Sequence, residues 1–184
     1  MVSALTYQYN KIESQIVTDV TIKNSLGSQT IVTKGLWDTG AQNSVITQKA
    51  AQKLGLVVLG KTKTRGVHGV KEVNVYSIGI VLNNPDIAVN CTVTECDELS
   101  NDGSVDLLLG MNVISMGDFV ISNYEGKTSM TFRVPSLERK DFVAEIKEQN
   151  RILKMHQTWA AHGNNKCPCG SGKLFKNCHG KNMK

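Results

Sequence analysis

The stretch Leu36-Trp37-Asp38-Thr39-Gly40-Ala41-Gln42-Asn43-Ser44-Val45-Ile46 decides how this chain is read. An apolar, β-prone lead-in runs into an acid, a hydroxyl residue and a glycine, then returns to β-prone residues. A carboxylate placed directly after a buried strand needs partners, because stranding it in apolar surroundings costs several kcal/mol or neutralises it. Thr39 supplies a hydroxyl, and Gly40 lets neighbouring backbone or a ligand come close. Taken alone, Asp-Thr-Gly is also ordinary turn chemistry. Two features argue against a plain surface turn. Ala41 and then Ser44-Val45-Ile46 keep the chain buried, and further on Val105-Asp106-Leu107-Leu108-Leu109-Gly110 gives a second buried run that stops at a glycine.

With both runs in view, residues 10–134 resemble the retropepsin-like aspartic proteases, in which an Asp-Thr-Gly-Ala loop carries the catalytic acid and a strand ending apolar-apolar-Gly crosses behind it. The resemblance implies a mainly β, retropepsin-like acid protease fold: a closed, barrel-like half-lobe with a flap hairpin and short helices. It implies Asp38 as the catalytic acid, supported by Thr39, Gly40 and Ala41. Thr39 would hydrogen-bond across a dimer, and Gly40 would accept substrate backbone. The chain holds one Asp-Thr-Gly, and one carboxylate cannot do this chemistry. The implied enzyme is therefore a symmetric homodimer acting on a polypeptide, with no cofactor for catalysis. Two positions depart from the viral pattern. Gln42 stands where viral members usually place an acid, and Met111 where they place an arginine, so the ion pair between them is missing as a unit; Asn112 does match the polar residue that often follows.

Composition fits such a body with an appendage. The 184 residues are 40% hydrophobic, enough to fill a core. No run approaches the ~20 apolar residues of a membrane span. Met1-Val2-Ser3-Ala4-Leu5 lacks the basic start and apolar run of a secretory signal, so the expectation is a cytoplasmic protein. Three of the five cysteines crowd into the last 18 residues, a clustering that suits metal binding better than disulfides. Residues 1–135 carry 11 basic and 12 acidic side chains, net −1, whereas residues 136–184 carry 10 and 4, net +6. The basic character belongs to the C-terminal part.

In chain order, residues 14–23 alternate with Ile16, Thr18, Val20 and Ile22 on one face, the period-two pattern of a half-buried strand. After turn chemistry at 24–27, residues 30–37 return as a second strand and deliver Asp38. Residues 47–54 read as a short helix capped by Thr47 and stopped by Gly55. Residues 61–73 read as a mobile hairpin with glycines three apart at its tip; its place between the Asp loop and the second apolar run matches the retropepsin flap, with Gly66, Val67, His68 and Gly69 covering the substrate. Residues 73–82 and 87–94 predict two long strands joined by a turn at 83–86, with Cys91 and Cys96 as core or edge residues. An acidic loop follows at 97–103. A short helix at 111–116 precedes a hairpin of Phe119-Val120-Ile121 and residues 127–134 around Tyr124-Glu125-Gly126. Ser136 is placed to cap a helix running to about Trp159, with Phe142, Val143, Ile146, Leu153 and Trp159 as an apolar stripe interrupted by Gln149 and Asn150. Three fates suit such a helix: packing on the body, pairing with its copy, or simply connecting.

The last segment, Cys167-Pro168-Cys169-Gly170-Ser171-Gly172-Lys173-Leu174-Phe175-Lys176-Asn177-Cys178-His179, presents two thiolates one residue apart, then a thiolate and an imidazole side by side. Cys167, Cys169, Cys178 and His179 make a complete tetrahedral set for structural Zn²⁺. The segment is too short and polar to form a core, so metal binding would supply its folding energy. It is similar to the SEC-C motif, found at the C-terminus of the bacterial preprotein translocase ATPase, where it docks a partner chaperone. The expected organisation is a protease domain at 1–135, a linker helix at 136–160 and the zinc-binding motif at 161–184. Five lysines and no acid in residues 160–184 favour an acidic protein surface as partner. Nucleic acid is the weaker reading, because Phe175 is the sole aromatic beside the ligands. Two functions are thus in play: a dimeric aspartic endopeptidase whose knuckle recruits substrate or partner, and a silent protease-fold module that displays the knuckle.

Overall fold

The computed structural model describes residues 2–25, 27–66, 69–84, 86–161 and 163–182. Two compact units divide the chain, Met1–Glu138 and Arg139–Lys184. Residues 26 and 85, within two of the turns expected from sequence, lie outside the described residues.

The first unit is a closed barrel. Its six strands are β2 (Ile16–Asn24), β3 (Thr30–Trp37), β8 (Val105–Leu109), β4 (Val45–Thr47), β7 (Ala88–Cys96) and β6 (Gly69–Val81), hydrogen-bonded in that order. Pairing of β2 with β6, from Thr21 opposite Val81 to Asn24 opposite Ile78, closes the ring. A seventh strand, β5 (Gly60–Gly66), pairs only with β6 and turns back at Gly66 opposite Gly69. It forms the projecting hairpin expected at 61–73. Alternation in β2 puts Ile16, Thr18, Val20 and Ile22 inside, as the period-two pattern predicts. Ile46, Ile78, Ile80, Val93, Leu107 and Leu109 complete the interior from the other strands.

Helix α1 (Gln48–Lys53) starts at Thr47, whose hydroxyl accepts the Ala50 N–H, and ends before Gly55 at φ +58°. Helix α2 (Met111–Ile114) follows β8 directly. A smaller sheet of β1 (Ser3–Gln8), β10 (Ser129–Val134) and β9 (Asp118–Ser122), in that order, packs on the barrel through aromatic rings. Trp37 stacks on Phe119 at 5.2 Å between centroids and meets the edge of Phe132 at 5.1 Å, while its indole N–H donates to Thr18 Oγ1 at 3.0 Å. The residue before Asp38 is thereby anchored in the core.

The second unit contains α3 (Phe142–Ala161) and the Cys/His segment. The helix begins later than Ser136. Asp141 caps it, its Oδ1 accepting the N–H groups of Val143 and Ala144, both at 3.1 Å. Ser136 is drawn away because its hydroxyl donates to Asp118, which also accepts from Arg133 and from the Leu137 N–H. Among the described residues, no helix is long and apolar enough to cross a membrane.

Candidate active site and metal centre

Parallel pairing of β3 with β8, Trp37 beside Leu109, brings the ends of the two apolar runs side by side. The Asp38 N–H donates to the Leu109 carbonyl at 2.9 Å, so the carboxylate emerges where both strands stop. Asp38 is half-buried, and its Oδ1 accepts the Gly40 N–H at 2.8 Å. A side chain on Gly40 would come within 3.2 Å of that same oxygen. The loop is held from behind. Gly110 packs so closely that a Cβ there would lie 2.6 Å from the carbonyl carbon and oxygen of Asn43 and 3.0 Å from the Ala41 oxygen. This is the physical reason the second run must end in glycine. Thr39, Gly40 and Gln42 are exposed and Ala41 is half-buried.

A buried polar network fixes the far side of the loop. Ser44, 0% exposed, donates to Asn112 Oδ1 from both its N–H (2.9 Å) and its hydroxyl (2.8 Å), and its Oγ accepts the Gly110 N–H at 3.1 Å. Met111 and Asn112 donate their N–H groups to the carbonyls of Ala41 (2.8 Å) and Gln42 (3.1 Å). At the two positions that depart from the viral pattern, main-chain hydrogen bonds therefore join the segments that an ion pair would otherwise link. Deeper, Asp106 accepts the hydroxyls of Thr33 (2.9 Å) and Thr47 (2.8 Å), tying β8 to β3 and to the start of α1. Sequence reasoning missed Ser44 and Asp106. The available signal was polarity: Asp106 interrupts an apolar run and Ser44 opens one, and a polar side chain in a buried run has to have a partner.

Of the flap residues named from sequence, Gly66 and Gly69 are the paired ends of the β5–β6 hairpin, while Val67 and His68 lie outside the described residues. Near its base, Tyr76 and Asn74 both donate to the Glu95 carboxylate. Burial, then the Glu95 hydrogen bond, push the Tyr76 hydroxyl above its ordinary pKa. Burial raises Cys91 and Cys96 to about 11, which leaves both as inert thiols rather than nucleophiles.

In the second unit, the ligand atoms of Cys167, Cys169, Cys178 and His179 all lie within 4.8 Å of one another. Cys169 and Cys178 Sγ are 3.6 Å apart, and His179 Nδ1 sits 3.2 Å from Cys167 Sγ and 3.6 Å from Cys178 Sγ. A tetrahedral Zn²⁺ shell has edges of roughly 3.5–3.8 Å; the two 3.6 Å separations match that and the 3.2 Å one falls just short, so small shifts bring the four groups onto such an ion. Turns at Gly170 (φ +75°) and Gly172 (φ +70°) fold the halves together, and the Cys167 N–H closes on the Lys173 carbonyl at 2.7 Å. Hydrogen bonds from Ser171, first its side chain and then its backbone, bring the Cys169 thiol down to about 6, which favours the thiolate a metal requires.

Comparison with known proteins finds matches in both parts of the chain. A family model described as aspartyl protease matches residues 18–113, and one for the SEC-C motif matches residues 164–181. Among curated proteins, the SecA protein translocase subunit of Bartonella henselae is 36% identical over 66 residues, 35% of this chain; the chain spans only 7% of that relative's length. Similar solved structures include a retropepsin-like aspartic protease from Rickettsia conorii (17% identity, TM-score 0.46, covering 73% of this chain and 94% of that one). The EIAV protease complexed with the inhibitor HBY-793 is another (22% identity, TM-score 0.42, 59% and 91%). With more than half of its residues matched to that family's model, the chain belongs to the aspartyl protease family and carries a SEC-C motif at residues 164–181.

Proposed function

We propose that the chain is an aspartic endopeptidase that works as a homodimer, with Asp38 of each protomer forming the catalytic dyad. The observation that carries this reading is a half-exposed carboxylate, oriented by its own loop N–H at 2.8 Å and backed by Gly110, occurring once per chain. Two carboxylates about 3 Å apart cannot both ionise, so the pair shares a proton. The ionised member takes a proton from a water held between them, which attacks the peptide carbonyl. The protonated member polarises the carbonyl oxygen and then helps protonate the leaving nitrogen. Exposed Thr39 is free of the barrel to reach the partner's loop, Gly40 and Ala41 receive substrate backbone, and the hairpin that pairs Gly66 with Gly69 closes over the peptide and excludes water.

In the tail, Cys167, Cys169, Cys178 and His179 hold a structural Zn²⁺, all four positions filled by protein. Exposed Lys166, Lys173, Lys176 and Lys181 suit an acidic protein partner or substrate. Phe175 is buried at 3% exposure, so it offers no stacking platform for a nucleic-acid base. Five unpaired cysteines suit a reducing, cytoplasmic compartment.

A peptide-library digest between pH 4 and 7 tests the catalytic claim. Wild type is expected to cleave and Asp38→Asn to lose activity by orders of magnitude; equal cleavage by both, or by neither, rejects it. Sedimentation that finds only monomer at micromolar concentration rejects the dyad.

A further inference from the structure

Helix α3 exposes an apolar line. Phe142 (65% exposed), Ile146 and Leu153 (56%) project into solvent, as do Val143 and Ile152 beside them. Phe142, Ile146, Gln149 and Leu153 follow one another at intervals of four, three and four residues, which is the 3.5-residue spacing of a coiled-coil seam. Lys147, Glu148, Arg151 and Lys154 fall on the opposite side, where Arg151 bonds Glu148 at 2.7 Å. Glu145 is the single charged residue flanking the line between Phe142 and Leu153.

This distribution distinguishes among partners. An acidic or basic partner selects for opposite charge along the contact, and the line has none. In a parallel pair related by a two-fold axis every seam residue meets its own copy, so a charge there would face a like charge. A seam of Phe, Ile, Gln and Leu satisfies that condition, and one polar seam residue fixes register and strand number. A 20-residue helix is about 30 Å long, and so short a pair is marginal by itself. It forms when two copies are already held together, which the Asp38 dimer does by raising their effective concentration.

We propose that α3 is a second dimerisation element, pairing in parallel with α3 of a second copy along Phe142, Ile146, Gln149 and Leu153. The inference rests on the dimeric reading of Asp38 for the proximity of the two helices. Its test uses the full-length protein, with the dimer dissociation constant measured by sedimentation and peptide cleavage followed in parallel. Gln149→Glu keeps size and helix propensity but sets two carboxylates face to face. It is expected to raise the dissociation constant about tenfold at pH 7 and to return toward wild type as the pH is lowered to 4. Leu153→Lys is expected to weaken the dimer with no such recovery. Dissociation constants unchanged in both variants, beside a dimeric and active wild type, overturn the inference and leave the protease reading standing. A dimer weakened by both variants but inactive in wild type supports the helix pairing and rejects the protease reading.

Discussion

At the scale of single residues, Gly110 holds its place because nothing larger fits against the Asp38 loop. Its absent Cβ would sit 2.6 Å from Asn43 backbone, and backbone cannot swing aside as a flexible side chain can. Gly110→Ala is therefore expected to cost at least ~2 kcal/mol and to lower cleavage further still, since relief requires the loop to move. Gly60, with nothing within 4 Å of its would-be Cβ, is the control. Gly60→Ala should leave the unfolding free energy measured in urea within ~0.5 kcal/mol of wild type. Equal losses in the two variants would show that the loop is not held from behind. The Ser44–Asn112–Gly110 network gives the same answer from the polar side, for it satisfies buried groups that would otherwise destabilise the site.

At the scale of elements, the end of β10 is clamped. Asp118 accepts from Ser136, from the Leu137 N–H and from Arg133; these bonds, that to Ser136 first, hold its carboxyl near pKa 2, below the ordinary 3.8. A depressed carboxylate contributes stability that is complete above about pH 4 and is lost as the pH falls through about 2. Asp118→Asn should thus lower the urea midpoint at pH 6, and the gap to wild type should close between pH 4 and 2; a gap independent of pH would remove the charge from the account. The clamp also shows what the chain alone does not reveal. Strands with alternating faces, such as Ile16–Asn24 and Thr30–Trp37, and a helix with its own cap at Thr47 could be read from local pattern. The start of α3 could not, because Ser136 and Asp141 are both good caps and a distant Asp118 decides between them. Strand β1 went unread for a similar reason. Its six residues show little pattern until β10 pairs with them, Leu5 opposite Phe132. The Asp38 loop and the Cys/His cluster were legible because their chemistry is compressed into short motifs. Ser44 and Asp106 acquire their roles only when β3, β4 and β8 meet.

At the scale of the whole molecule, the two units are stabilised by different physics. The first unit buries more than twenty apolar side chains, whereas among the described residues of Arg139–Lys184 only Cys167 and Phe175 are buried. Two side chains are no core, so on the reading proposed above the second unit's Cys/His segment draws its folding free energy from metal–ligand bonds. Removing the metal should therefore be a local event. On addition of a strong chelator, amide signals of residues 163–182 are expected to collapse toward random-coil shifts, while those of residues 16–134 stay in place and the barrel's melting temperature is unchanged. Cys178→Ser should reproduce that spectrum without chelator, because three remaining ligands leave the tetrahedral shell open. Cleavage of short peptides should survive both treatments, since the described partners that hold the Asp38 loop, Ser44, Gly110 and Asn112, all belong to the first unit. Cleavage of a protein substrate captured through the lysine-rich knuckle should fall. Loss of short-peptide cleavage together with the metal would place the metal in the chemistry itself, and barrel signals that moved with it would show that the two units fold as one.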